Sequence, residues 1–336
     1  MRRLVDQLLR SEEPSVRWKV RRWVAGEAPD ARAMRRLAGE IRRSPRVEAL
    51  LANRDDQGRM LTGSAYAKWQ GAHWVLATLA DIGYPAADAA LRPMREQVLA
   101  TWLHENYYRE FAATTKASSY RRRGVPVMNG RHRRCASQQG SALKSLTDLG
   151  LGDERLADLV ERLLYWQWPD GGWNCDREPD AAMSSLNETL LPMRGLAAYA
   201  RATGDAAAGA AARAAAEVFL DRRLYRRRRD GEVIAPGFVR LHYPRYWHYD
   251  VLDGLRGMVD VGAIADDRCV DALDLLESKR LDGGWPAEGR HYRAASAEIE
   301  LHHDYVEWAG AGVRRPNEWV TADALAVLAA AERLTV

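Results

Sequence analysis

The chain has 336 residues, enough for one large domain or two ordinary ones, and its net charge of +4 is too small to argue for a nucleic-acid partner. No apolar run is long enough to cross a membrane as a helix, and the opening MRRLVDQLLRSEEP turns acidic where a secretory leader needs apolar residues, so a cytoplasmic protein is expected. Three cysteines (Cys135, Cys175, Cys269) cannot build a disulfide framework, and 12 Trp and 13 Tyr against 3 Phe favour walls that combine apolar area with a polar handle.

Residues 1–57 contain a capped amphipathic helix that begins near Ser11 with Pro14 in its first turn. This stretch is expected to be a helical extension packed on the remainder, residues 58–336. From there a pattern recurs. Residues 69–83, 136–151, 185–204, 248–264 and 317–334 read as helices apolar on more than one face, hence buried. Between them, residues 90–105, 153–168, 207–225 and 267–280 show the one-sided i, i+3, i+4 spacing of an outer layer. Turns from a buried helix to its outer partner are short, whereas the returns are long. Two concentric layers with all long loops at one end follow, so a single mouth is expected beside the starts of the inner helices.

Two of the long loops carry hairpin chemistry, at Asn129-Gly130 and Asp230-Gly231. The arginine runs 121–123, 131–134 and 226–229 are then expected at hairpin edges, as solvated edges or as an anion-binding rim.

The loop after the second outer helix reads QWPDGGWN from Gln167, and Asp282-Gly-Gly-Trp285 is a weaker copy. The Q-x-x-x-G-x-W pattern resembles the QW repeat of squalene–hopene cyclases, and the DGGW cores resemble that superfamily and the protein prenyltransferase β-subunits. The resemblance implies an all-α fold, an (α/α)5-6 toroid with short β-hairpins in the mouth loops, and a small stand-alone cyclase-like protein. Gln167, Gly171, Gly172 and Trp173 are expected to staple outer helices rather than to react. The D-x-D-D acid of class II cyclases is missing, because Asp55-Asp56 and Asp266-Asp267 lack the partner aspartate; Asp266-Asp267 suits a helix cap.

The chemistry must then come from the mouth. A carboxylic acid raised in pKa among aromatics could protonate an alkene or epoxide. Asp250 and Glu188 are the preferred acids, with His248 to orient or reprotonate them and Asp176 nearby; as helix-start carboxylates they equally suit free backbone N–H groups. Trp69, His73, Trp74, Arg134, Gln139, Tyr246, Trp247, Tyr249, Glu318 and Trp319 are expected to line the substrate cavity, the aromatic faces stabilising cations. The expected substrate is a hydrophobic, isoprenoid small molecule, cyclised or isomerised without a required cofactor, with peripheral membrane contact where the mouth takes up a polyprene.

Two alternatives remain open. Prenyltransferase β-subunits hold zinc with Asp, Cys and His, and Cys135, Cys175, Asp176 and His248 offer a mixed donor set, though not in the Asp-x-Cys order. A third reading is a lipid- or prenyl-diphosphate-binding scaffold with helix N-termini and arginines at an anionic head.

Overall fold

The computed structural model describes residues 1–334. It is mostly helical: α1 (Arg2–Leu8), α2 (Pro14–Trp23), α3 (Arg32–Arg42), α4 (Pro45–Leu51), α5 (Ala72–Asp81), α6 (Arg92–Trp102), α7 (Lys116–Ser119), α8 (Ser137–Asp148), α9 (Leu156–Trp166), α10 (Leu186–Thr203), α11 (Ala206–Leu220), α12 (Val251–Asp260), α13 (Val270–Ser278) and α14 (Glu318–Ala330).

The apolar pattern sorts these helices into two kinds. Helix α9 buries the single stripe Leu156, Leu159, Val160, Leu163 and Trp166, whereas α5 buries nearly every side chain from Ala72 to Leu79 and α14 those from Trp319 to Leu325. The buried kind packs in series, α5 on α8, α8 on α10, α10 on α12 and α12 on α14. Each has a one-sided neighbour: α6 on α5, α9 on α8, α11 on α10 and α13 on α12. The neighbour of α14 is α2, from the N-terminal stretch. Lys19 of α2 reaches inward to Asp81 of α5 (2.8 Å) and Asp323 of α14 (2.9 Å), so this stretch contributes a buried charge as well as apolar packing.

The tightest helix contact is α8 against α10. A Cβ on Gly140 would lie 2.2 Å from the backbone nitrogen of Pro192, and one on Gly195 would lie 2.5 Å from the carbonyl oxygen of Gly140. Only glycine lets the two backbones approach so closely.

The GGW turns act as clamps, and the two copies bond alike. Trp173 sends its indole N–H to the Leu163 carbonyl of α9 (2.9 Å) and receives the Ser185 N–H on its own carbonyl (2.9 Å); its backbone N–H goes to Thr189 Oγ1 (3.1 Å). Trp285 does the same with Leu276 of α13 (2.6 Å), Asn317 (2.8 Å) and Thr321 Oγ1 (2.9 Å). Gln167 adds bonds to the Gly171 carbonyl (2.6 Å) and to Ala211 of α11 (3.0 Å), so the staple expected of this motif joins α9 to α11. Gly171 and Gly284 have φ of +95° and +128°, which side chains rarely adopt.

A three-stranded sheet lies between α6 and α8: β1 (Glu110–Ala112), β2 (Val125–Met128) and β3 (Arg131–His132), with β1 parallel to β2 and β2 antiparallel to β3. Asn129 and Gly130 both have positive φ, as the hairpin chemistry requires. At Asp230-Gly231 only one bridge forms, Arg226 with Val233, so the second hairpin stops at a turn. The arginine runs also divide. Arg121 to Arg123 are exposed, but Arg133 and Arg134 are buried rather than on a solvated edge. Arg133 stacks over Trp168 at 4.7 Å and donates to the carbonyls of Ala181 and Pro179, which is how a guanidinium can leave water.

Candidate functional site

Three groups of polar side chains meet where the buried helices converge.

The first lies at the starts of α8 and α10. Cys135 precedes α8, Cys175 follows the first GGW turn, and Glu188 sits in the first turn of α10. One ligand atom from each falls within 4.8 Å of the others. The Cys175 thiol donates to Glu188 Oε1 (3.3 Å), and Glu188 Oε2 accepts the Ser137 N–H (3.1 Å). The closeness of the two thiols lowers the Cys135 pKa and raises that of Cys175. Beside them Arg134, 9% exposed, donates to Gln138 Oε1 (2.8 Å) and Gln139 Oε1 (3.2 Å) and forms no ion pair with a carboxylate among the described residues. Tyr107, Trp102 and Trp166 surround the guanidinium at 4.7, 5.9 and 5.9 Å. His73, buried, accepts the Trp102 indole N–H on Nδ1 (3.1 Å), and desolvation lowers its pKa to about 3.

The second group is aromatic and acidic. Trp69 stacks on Tyr246 at 3.9 Å, and Trp74 meets both edge-on at 4.9 and 5.6 Å. The Tyr246 hydroxyl donates to Asp304 Oδ2, which also accepts the Trp308 indole N–H (2.8 Å), while Oδ1 accepts the Val306 N–H (3.2 Å). Asp304 is 2% exposed; burial raises its carboxyl pKa against the lowering effect of these donors. Tyr246 holds a φ of +53°, uncommon for so bulky a residue. On the far side of Trp69, His248 lies between Trp247 (4.1 Å) and His291 (3.5 Å) and is bonded through Nδ1 to the Arg245 carbonyl (3.0 Å). Burial lowers the His248 pKa to about 4.

The third group is a buried ion network. Asp81, Asp253, Asp260 and Asp323 pair with Lys19, Arg194, Arg245 and Arg256 at 2.6–3.3 Å. Burial alone would raise the Asp81 pKa; the charges of Lys19, Arg256 and Arg245 outweigh it and hold it well below the usual carboxylate range. A cavity of about 100 Å³ opens between this network and the aromatic group. Trp74, Tyr243 and Tyr246 form its aromatic side; Asp81, Arg194, Arg245, Asp253 and Arg256 form the charged side. The expectation of an aromatic-lined substrate cavity is therefore corrected: charged side chains share the walls with the aromatics, and no residue of the GGW loop takes part.

Of the residues singled out from sequence, Trp69, Trp74, Tyr246, Trp247 and His248 come together, as do Cys135, Cys175, Glu188, Arg134, Gln139 and His73. Asp250 is fully buried, but its two oxygens accept the Asp253 and His242 N–H groups (2.9 Å each), so it caps α12. Asp176 is exposed and bonds the Glu178 N–H (3.0 Å), away from the thiols; His248 also stands apart from them, and Glu188 takes the third place in that cluster. Tyr249 packs on Phe219 of α11 and donates to the Leu224 carbonyl (2.6 Å). Glu318 accepts from Ser11 (2.7 Å), and Trp319 stacks on Tyr243 and meets Trp308 edge-on, both facing the N-terminal helices. Cys269 is core. Asp304, Lys19 and Asp81 escaped sequence reasoning. Asp304 lies in an irregular loop with no periodicity, and the only signal there is the run of Asp304, Tyr305 and Trp308, an acid among aromatics.

No protein-family model and no curated protein matches the chain. Among solved structures it is similar to a variant of the type II terpene cyclase MstE from Scytonema in complex with its substrate, geranylgeranyl dihydroxybenzoate. That likeness covers 99% of this chain and 100% of the other at 15% identity, with a TM-score of 0.29.

Proposed function

We propose that the protein is a terpene-cyclase-like acid catalyst whose buried helices close an α/α toroid. Asp304 is the proton source, and Tyr246 is the group that reaches the substrate. The observation that carries the reading is Asp304, a carboxyl raised by burial and bonded to a tyrosine that itself lines the cavity between Trp74 and the ion network. When Asp304 is protonated its O–H donates to Tyr246 Oη. Tyr246 then passes its own proton to an alkene or epoxide in the cavity and takes the Asp304 proton in return. Trp74, which lines the cavity, is the indole placed to stabilise the cation that forms. The resemblance of the QW and DGGW turns supports an isoprenoid substrate. A cavity of about 100 Å³ has room for roughly three water molecules, so it admits the reacting end of such a chain rather than its length.

Acyclic isoprenoid alkenes and their terminal epoxides, incubated with the purified protein and analysed by gas chromatography–mass spectrometry, test the reading. Tyr246→Phe and Asp304→Asn are expected to fold and to lose about 100-fold or more of turnover, while Glu318→Gln keeps it. Full turnover by a folded Tyr246→Phe protein sinks the assignment.

A further inference from the structure

The thiol–carboxylate cluster has no part in that proton relay. Cys135, Cys175 and Glu188 come from three segments: the residue pair before α8, the loop after the first GGW turn, and the first turn of α10. Their ligand atoms lie within 4.8 Å of one another, close enough for one ion to touch all three after small side-chain rotations. Two sulfurs and one carboxylate oxygen are a soft, mixed donor set suited to zinc and its congeners rather than to calcium or magnesium, which prefer oxygen alone.

The charge beside the cluster is compatible with an ion there. Arg134 carries a full charge in a buried position, and its donors go to the neutral amide oxygens of Gln138 and Gln139. A buried cation ordinarily needs a neighbouring anion. Two thiolates, one carboxylate and a divalent ion sum to one negative charge, which Arg134 balances. With the thiols protonated and no ion, Glu188 balances it instead. The pocket is thus neutral both with and without the ion, so loading exchanges a divalent cation for two protons and adds no net buried charge.

We infer that Cys135, Cys175 and Glu188 form a site for one thiophilic divalent cation, with Arg134 as the buried counter-charge. Both sulfurs bind as thiolates, each S–H proton leaves to solvent, and Glu188 exchanges its bond with the Cys175 thiol for a bond to the ion. The remaining coordination position is left to water. Bound there, the ion ties the first GGW loop to the starts of α8 and α10.

The test is titration of the reduced full-length protein with cobalt(II) and zinc(II). Cobalt–thiolate absorption, calorimetry and plasma mass spectrometry of the desalted protein are the readouts. One ion per chain is expected, with about two protons released per ion near neutral pH, shown by the dependence of the heat on buffer ionisation. Zinc should protect Cys135 and Cys175 from alkylation. Cys175→Ser should abolish the thiolate absorption of a two-sulfur site, Glu188→Gln should weaken binding by at least the roughly 10–100-fold that losing an outer-shell partner costs, and Cys269→Ser should bind as the parent does. If Cys175→Ser fails to fold, Glu188→Gln and the alkylation pattern on the parent protein decide alone. The inference is overturned if the reduced protein takes up no cobalt or zinc, if Cys269→Ser removes binding, or if the only chemistry found is a Cys135–Cys175 disulfide in protein prepared without reductant. None of these readouts involves Asp304 or Tyr246, so they stand or fall apart from the proton relay.

Discussion

Histidine protonation is where single side chains most clearly report their surroundings. His248 is held neutral by burial between Trp247 and His291, with a pKa lowered to about 4; burial also holds His73 near 3 and His291 near 2. In the unfolded chain each returns to about 6.5. The unfolded state therefore binds more protons between pH 6.5 and 4, and stability contributed by the neutral rings is present above pH 6.5 and lost as pH falls through that window. Each ring adds at most about 1.4 kcal/mol per pH unit to the slope. Urea midpoints measured from pH 7 to pH 4 should fall steadily, and His248→Phe should make the decline shallower by close to one proton's worth. An unchanged slope would mean that His248 is protonated in the folded protein. Asp250 has both oxygens engaged by backbone N–H groups and is a structural cap on α12.

Helices repeat this contrast between what pattern reveals and what it hides. The buried and one-sided helices were legible because periodicity reports how many faces are covered, and the GGW turns because glycine and tryptophan have few substitutes there. The Asn129-Gly130 hairpin was legible from its demand for positive φ. Partners were not: nothing in the sequence of α2 says that Lys19 reaches Asp81 and Asp323, because ion pairs across 62 and 304 residues leave no local spacing. For the same reason the sequence presents Glu188 as a candidate catalytic acid at a helix start, and its company with two thiols is visible only once α8 and α10 are placed. That placement rests on the close approach at Gly140. Gly140→Ala puts a methyl group 2.2 Å from the Pro192 backbone nitrogen, where no side-chain rotation relieves it, so it should cost about 3 kcal/mol or more. Gly204→Ala, with nothing near its Cβ, should cost only the strain of φ +80°. Equal thermal midpoints for the two variants would refute the backbone-contact account.

For the whole molecule, the interior ion network decides more than any single helix. Removing one charge leaves its partners buried and uncompensated. Lys19→Met should cost about 3–5 kcal/mol, and it should raise the pH at which acid unfolds the protein. The sign follows from the lowered carboxyls of Asp81, Asp253, Asp260 and Asp323: their stabilisation is present above about pH 4 and disappears as pH drops below it. Acid titrations followed by circular dichroism would show whether the variant unfolds at higher pH; a coincident curve would mean that Lys19 is dispensable. No helix among the described residues is long and apolar enough to cross a membrane. The paired GGW clamps carry a different consequence. Each fixes a tryptophan to the next buried helix at both ends of a loop, and the loops so enclosed, residues 174–184 and 286–316, differ greatly in length while the clamps bond alike. The same pair of anchor bonds therefore accommodates loops of very different length, with Cys175 in the shorter and Asp304 in the longer, and each loop is then bonded to side chains outside it: Arg133 holds the carbonyls of Pro179 and Ala181, and Tyr246 holds Asp304.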